Sequence, residues 1–248
     1  MSETVSDCFL FAGPSLHCAT AGGVSTGGAR VLPPVRRGDV ERLVAARTTP
    51  GTIVIADGLF EQCLSVSHAE IREALLRGWR VWGLSSMGAI RAYEMRHMGA
   101  RGYGRVYQLF FEHEEFRDDE VALTHEPQPP FRPLTEPLVH LRRWLAELVG
   151  MNILSRRHER EVCAELMSLW FGERTLACAR ALVVARAPEH AAAVDLTIAD
   201  FARFHVKCQD LIEFLGGRAW ESGELQVGTA CRKRAGDEIA ECGFRIAD

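Results

Sequence analysis

The sequence predicts an α/β protein: an N-terminal parallel sheet with crossover helices, followed by a helical C-terminal half. Three observations carry this reading. Short apolar runs bounded by Gly, Pro and Asp alternate with helical patterns through the first hundred or so residues, as in strands joined through crossovers. Pro127, Pro129, Pro130, Pro133 and Pro137 then interrupt the chain. Beyond them apolar residues recur at helical spacing, as in Leu138, Leu141, Trp144, Leu145 and Leu148. The expected division is therefore an α/β core over 1–126, a Pro-rich linker over 127–137 and a helical region over 138–248.

In order, Cys8-Phe9-Leu10-Phe11-Ala12 reads as a buried strand ending at Gly13-Pro14-Ser15. Residues 20–28 are rich in Gly, Ser and Thr and read as a loop. Val31-Leu32 is extended because Pro33-Pro34 follows. Asp39 is the expected cap of a helix running to Arg47, with Val40, Leu43 and Val44 on one face. Thr52-Ile53-Val54-Ile55-Ala56 is a second buried strand, stopping at Asp57-Gly58. Ser67 with Glu70 three residues later forms a capping box for the next helix, with Ile71, Ala74 and Leu75 turned inward. Trp79 to Leu84 is a further strand. It breaks at Ser85-Ser86-Met87-Gly88 into a helix that starts at Ala89. The acidic stretch Glu112, Glu114, Glu115, Asp118, Asp119 and Glu120 reads as a solvated charged face rather than a Mg²⁺ site. Helices are expected over about 137–149, 156–171, 173–186 and 189–215 from their apolar spacing. The tail from Gly216, with Cys231-Arg232-Lys233-Arg234, reads as solvated.

Composition excludes several classes. The 248 residues are 47% hydrophobic and 25% charged, ordinary for a soluble globular protein. A net charge of −4 and a pI near 6.2 argue against nucleic-acid or membrane-surface binding. The first thirty residues hold no signal-peptide pattern, and no apolar run approaches the roughly 18 residues of a spanning helix. The eight cysteines (8, 18, 63, 163, 178, 208, 231, 242) include no C-x-x-C pair. They read as reduced, mostly core residues of a cytoplasmic protein. No metal or cofactor is expected.

Chemistry concentrates where the strands end. A strand turning sharply into a helix through Ser86-Met87-Gly88 lifts a hydroxyl above the sheet edge and aims the first free helix amides beside it. Leu84 stands where a strict nucleophile elbow has glycine. Gly13-Pro14-Ser15, Asp57-Gly58 and Ser85-Ser86 converge on the carboxyl edge of the expected sheet, where such sheets bind ligands. Met87, Gly88, Gly13 and Ser15 are the candidate anion donors. Asp57, Gly58 and Glu61 are candidates for orienting a base or passing a narrow tail, and Arg36 and Arg37 for holding a partner's carboxylates. Each has a plainer reading as a cap, a turn or a solvated surface charge. Cys63 has no sequence neighbour that would activate its thiol.

Five stretches stand in the order and spacing of the TfuA-like family, which the chain resembles over about residues 8–142. They are Phe11-Ala12-Gly13-Pro14-Ser15-Leu16, Leu32 to Asp39, Asp57-Gly58-Leu59-Phe60-Glu61-Gln62, Ser86-Met87-Gly88-Ala89 with Arg91-Ala92, and Asp118 to Ala122. The resemblance implies a partner of YcaO enzymes, which make peptide backbone thioamides. It implies hydrolysis of the C-terminal thiocarboxylate of a ThiS-type sulfur carrier, and a tighter hold of the YcaO on its precursor peptide. It also implies a Ser–Lys pair with Ser86 as nucleophile. The family lysine position, however, is Ala69, and the chain has only Lys207 and Lys233. A serine hydroxyl needs a base, which typically contributes a factor of about 10²–10⁴. Three arrangements stay open: a non-catalytic adaptor, His68 as base, or Lys207 folded over the site.

Overall fold

A computed structural model of the chain describes residues 7–21, 23–61, 63–113 and 116–221. Gln62, Glu114, Glu115, Lys233, Cys242 and the 231–234 cluster lie outside the described residues. The chain divides into two compact units. One holds the chain to Phe116, Pro129–Phe131 and the described residues from Lys207; the other holds Arg117–Gln128 and Arg132–Val206.

The first unit is built on five parallel strands: β1 Cys8–Phe11, β2 Arg30–Leu32, β3 Thr52–Ile55, β4 Arg80–Gly83 and β5 Arg101–Gly102. Their order is β2-β1-β3-β4-β5, so the winding reverses between β1 and β3. The register pairs Phe11 with Leu32 and Ile55, Ile55 with Gly83, and Gly83 with Gly102. All five strands thus stop in one row, and the loops that follow leave from a common edge. That is the crevice where doubly wound sheets hold ligands.

Five helices link these strands or follow them: α1 Pro14–Ala21, α2 Asp39–Ala45, α3 His68–Leu76, α4 Met87–Glu94 and α5 Gly104–Glu112. The capping box of α3 is present, Ser67 and Glu70 bonding reciprocally. Asp39 does not cap α2. Gly38 takes that position at φ 84°, and the Asp39 carboxylate accepts from the Arg36 amide at 2.7 Å. The helix α1 and the short β5 carry little apolar periodicity, and the sequence reading contains neither.

The second unit contains α6 Leu138–Gly150, α7 Arg156–Ser168, α8 Leu176–Val184 and α9 Ala191–Ala199. Their apolar faces meet around the fully buried Trp144, whose indole N–H donates to Thr197 Oγ1 at 2.8 Å. The acidic stretch is not wholly solvated. Glu120 is buried against the Arg142 guanidinium, and Asp119 accepts from the buried Arg174. The expected helix over 189–215 is broken. After α9 comes a 3-10 turn, Phe201–Phe204, and then α10 Val206–Gly216. From Lys207 this last helix belongs to the first unit. Leu211, Phe214 and Leu215 join Leu10, Val54 and Trp82 on one face of the sheet. That apolar burial is what takes α10 out of the helical unit.

Candidate functional site

The site grows from the end of β4. The Leu84 amide still bonds the Ile55 carbonyl at 3.0 Å, and the Ser86 amide turns to the Ala56 carbonyl at 3.1 Å. Between them Ser85 adopts φ 62°, a left-handed conformation that costs a non-glycine residue about 1–2 kcal/mol. Helix α4 starts immediately, with Ser86 as its N-cap. Glycine at 88 is what permits this closeness: a Cβ there would stand 1.7 Å from the Ile55 carbonyl oxygen. A Cβ on Gly83 would likewise stand 2.0 Å from the Gly88 carbonyl oxygen. The strand–Ser–helix turn foreseen in the sequence is therefore a tight, backbone-to-backbone junction. Ser86 itself is 2% exposed. The Gly88 amide lies 3.4 Å from the Ala56 carbonyl, a long bond that already aims it at the sheet.

Asp57 organises the neighbouring strand ends. Its buried carboxylate accepts from the Gly13 and Ser15 amides, each at 2.9 Å, and from Ser15 Oγ at 2.8 Å. It caps α1 from across the sheet. The donors expected to receive an external anion, Gly13 and Ser15, are thus engaged by an internal one. Both Asp57 oxygens are already engaged by these three donors, and the residue is 2% exposed. Gly58 lies under Met87: a Cβ there would meet the Met87 side chain at 2.7 Å. Glu61 is exposed at φ 59°. Arg36 is exposed, while the Arg37 guanidinium donates to the Ser65 carbonyl at 2.9 Å and faces Glu70.

Two candidate bases separate. His68 opens α3 in an exposed position, with Nε2 2.9 Å from Glu94 Oε2. Glu94 ends α4, eight residues beyond Ser86, or about 12 Å along a helix axis. His68 is not brought to Ser86. Lys207 is brought to the elbow: its carbonyl accepts a 2.7 Å bond from Ser85 Oγ, and the residue is 2% exposed. Beside it Cys208, one of the expected core cysteines, has its thiol pushed up to about 12, chiefly by burial, with Cys18 and Asp57 adding to the rise. Its thiol is accordingly inert. The first turn of α10 therefore lies against the ends of β3 and β4. The signal for it in the sequence is the apolar spacing Leu211, Phe214, Leu215, which marks a helix and not its partner.

This geometry stands over a matched segment. Residues 57–175 match the model of a family described as TfuA-like protein. Over that stretch the chain is similar to the TfuA-like family. The TfuA-like stretch includes Asp57, Gly58, Ser86 and Gly88, whereas Gly13, Ser15 and Lys207 lie outside it. The family supports an accessory role in YcaO-associated thioamidation. No curated protein matches the chain. Among the described residues no helix is long and apolar enough to cross a membrane.

Proposed function

We propose that this TfuA-like protein hydrolyses the thiocarboxylate of a ThiS-type carrier at Ser86, with Lys207 as its base. In this reading Ser86 Oγ attacks the thiocarboxylate carbon and the lysine amine takes the hydroxyl proton. The lysine then returns that proton to the departing sulfide, and water cleaves the acyl-serine to leave the carrier carboxylate. The net change is thiocarboxylate plus water to carboxylate plus hydrogen sulfide, the nucleophile a YcaO needs to replace an amide oxygen. Met87 supplies the α4 amide beside the oxyanion, the Gly88 amide being bonded to the Ala56 carbonyl. Arg36 supplies an exposed charge for meeting the carrier or the YcaO. The observation that carries the reading is the Ser85–Lys207 bond, which ties the chain's one described lysine to the elbow.

A second reading, a non-catalytic adaptor that strengthens the YcaO's hold on its precursor peptide, is favoured by the burial of Ser86. Sulfide release from a thiocarboxylated carrier separates the two. Under the hydrolase reading Ser86→Ala and Lys207→Met each lower release by at least about 10², while His68→Ala leaves it unchanged. Equal release by wild type and Ser86→Ala, with the KM of the YcaO for its peptide still lowered by both, assigns the adaptor role instead.

A further inference from the structure

The second unit holds a cluster that the elbow chemistry does not use. Glu136 stands just before the N-cap of α6 and His140 in the helix's first turn. His205 closes the 3-10 turn Phe201–Phe204, sixty-odd residues later. The fold brings the three together. Glu136 Oε2 lies 2.9 Å from His140 Nδ1, and Glu136 Oε1 lies 3.5 Å from His205 Nε2. One ligand atom from each residue falls within 4.8 Å of the other two. The imidazole rings are tilted by 30° with centroids 4.9 Å apart, so both present nitrogen to the same carboxylate.

We infer that Glu136, His140 and His205 bind one divalent transition-metal ion of the zinc type.

Three arguments support it. The first is distance. A tetrahedral ion with ligands at about 2.0–2.1 Å separates them by roughly 3.3 Å; the two imidazoles contact the two Glu136 oxygens at 2.9 and 3.5 Å, and one ligand atom from each residue lies within 4.8 Å of the others. The ion therefore needs only side-chain adjustments of an ångström or so. The second is ligand chemistry. Two imidazoles and one carboxylate suit zinc and its first-row neighbours, whereas Mg²⁺ and Ca²⁺ take all-oxygen sets. The third is charge in a confined place. The side chains of His140, Glu136 and His205 are 5%, 12% and 17% exposed. A carboxylate so withdrawn from water is stabilised by strong donors or by a cation, and an ion shared with the two imidazoles would supply the latter. The nearby Arg174 guanidinium is directed to Asp119 and to the carbonyls of Leu166 and Leu169.

The test uses the full-length protein, stripped with a chelator and titrated with ZnCl₂ by calorimetry, then with CoCl₂ by visible spectroscopy. One equivalent of zinc is expected, together with a cobalt spectrum of a nitrogen–oxygen site lacking thiolate charge transfer. Glu136→Gln and His140→Ala should each weaken zinc binding at least tenfold. The cobalt spectrum needs no variant, so a folding defect in either does not rescue or sink the idea. No uptake by the stripped wild type overturns it and leaves a hydrogen-bonded His–Glu–His cluster. A cobalt spectrum dominated by thiolate charge transfer overturns it too, since the ion would then sit on cysteines.

Discussion

The Ser85 hydroxyl donates a 2.7 Å hydrogen bond to the backbone carbonyl of Lys207, across 122 residues of chain. It is buried, and it belongs to a residue whose φ of 62° is unfavourable for any side chain with a Cβ. The bond and the backbone therefore oppose each other at one position.

That opposition can be measured. Ser85→Ala loses the bond and keeps the left-handed backbone, and should cost about 1–2 kcal/mol. Ser85→Gly loses the same bond but relieves the backbone, and should be about 1 kcal/mol more stable than the alanine variant. Urea midpoints at unchanged m-value report both. An alanine variant as stable as the glycine one would remove the strain from this account.

The junction between α4 and β3 predicts an asymmetry between two glycines. Gly88→Ala forces a methyl onto the Ile55 carbonyl, backbone against backbone, and should destabilise by more than about 3 kcal/mol. Gly58→Ala meets side-chain atoms instead, Met87 Cγ and Cβ at 2.7 and 2.9 Å, which a small shift of the start of α4 relieves, and should cost about 2 kcal/mol. Thermal unfolding of the pair checks the ranking.

Asp210 carries a pH dependence. It sits in α10, fully buried, and accepts from the Arg105 and Val106 amides at 2.7 and 2.9 Å, capping α5. Burial raises its carboxyl and outweighs those two amides, which lower it; Glu213 adds to the rise, and the balance lies at about 7. Unfolded, the group loses its proton near pH 4. Between those values the folded state binds the extra proton, so stability falls as pH rises from about 4 to 7, by up to about 1.4 kcal/mol per unit. Comparing urea stability of wild type and Asp210→Asn across that window isolates the group. The opposite sign in the difference would mean the amides hold the carboxylate charged.

Arg36 should act at a distance. Its side chain is more than half exposed, so Arg36→Glu should leave the unfolding midpoint within about 0.5 kcal/mol of wild type. Affinity for the YcaO or the carrier should drop, more at low salt than at high salt. Arg37→Glu is the contrast: it breaks the bond to the Ser65 carbonyl, sets a second carboxylate beside Glu70 and should also lower stability. Calorimetric titration showing unchanged affinity for both partners would withdraw the carrier role from Arg36.

Much of the sheet was legible because fully buried strands announce themselves. Phe9-Leu10-Phe11 and Ile53-Val54-Ile55 are apolar on both faces, as parallel strands covered on both sides must be. The Ser67–Glu70 box was legible because its reciprocal bonds span only three residues. What depends on distant partners was not. Nothing near Lys207 says that it meets Ser85, and Asp57-Gly58 reads as a turn until the amides of Gly13 and Ser15 arrive from another strand. The same holds for Asp119 and Glu120, whose arginines stand 55 and 22 residues away. His68, offered for its imidazole beside the missing lysine, stands on α3 with its ring against Glu94.

Asp57 is a ligand the chain carries for itself. In doubly wound sheets the socket formed by the first strand's end and the following helix start commonly receives a phosphate. Here a tethered carboxylate fills it, held by three donors. Any free anion arriving there meets a rival that cannot diffuse away. The molecule has committed its most ready-made anion receptor to rigidity, fixing β1, α1 and β3 as one block. Asp57→Gly would open that plugged socket.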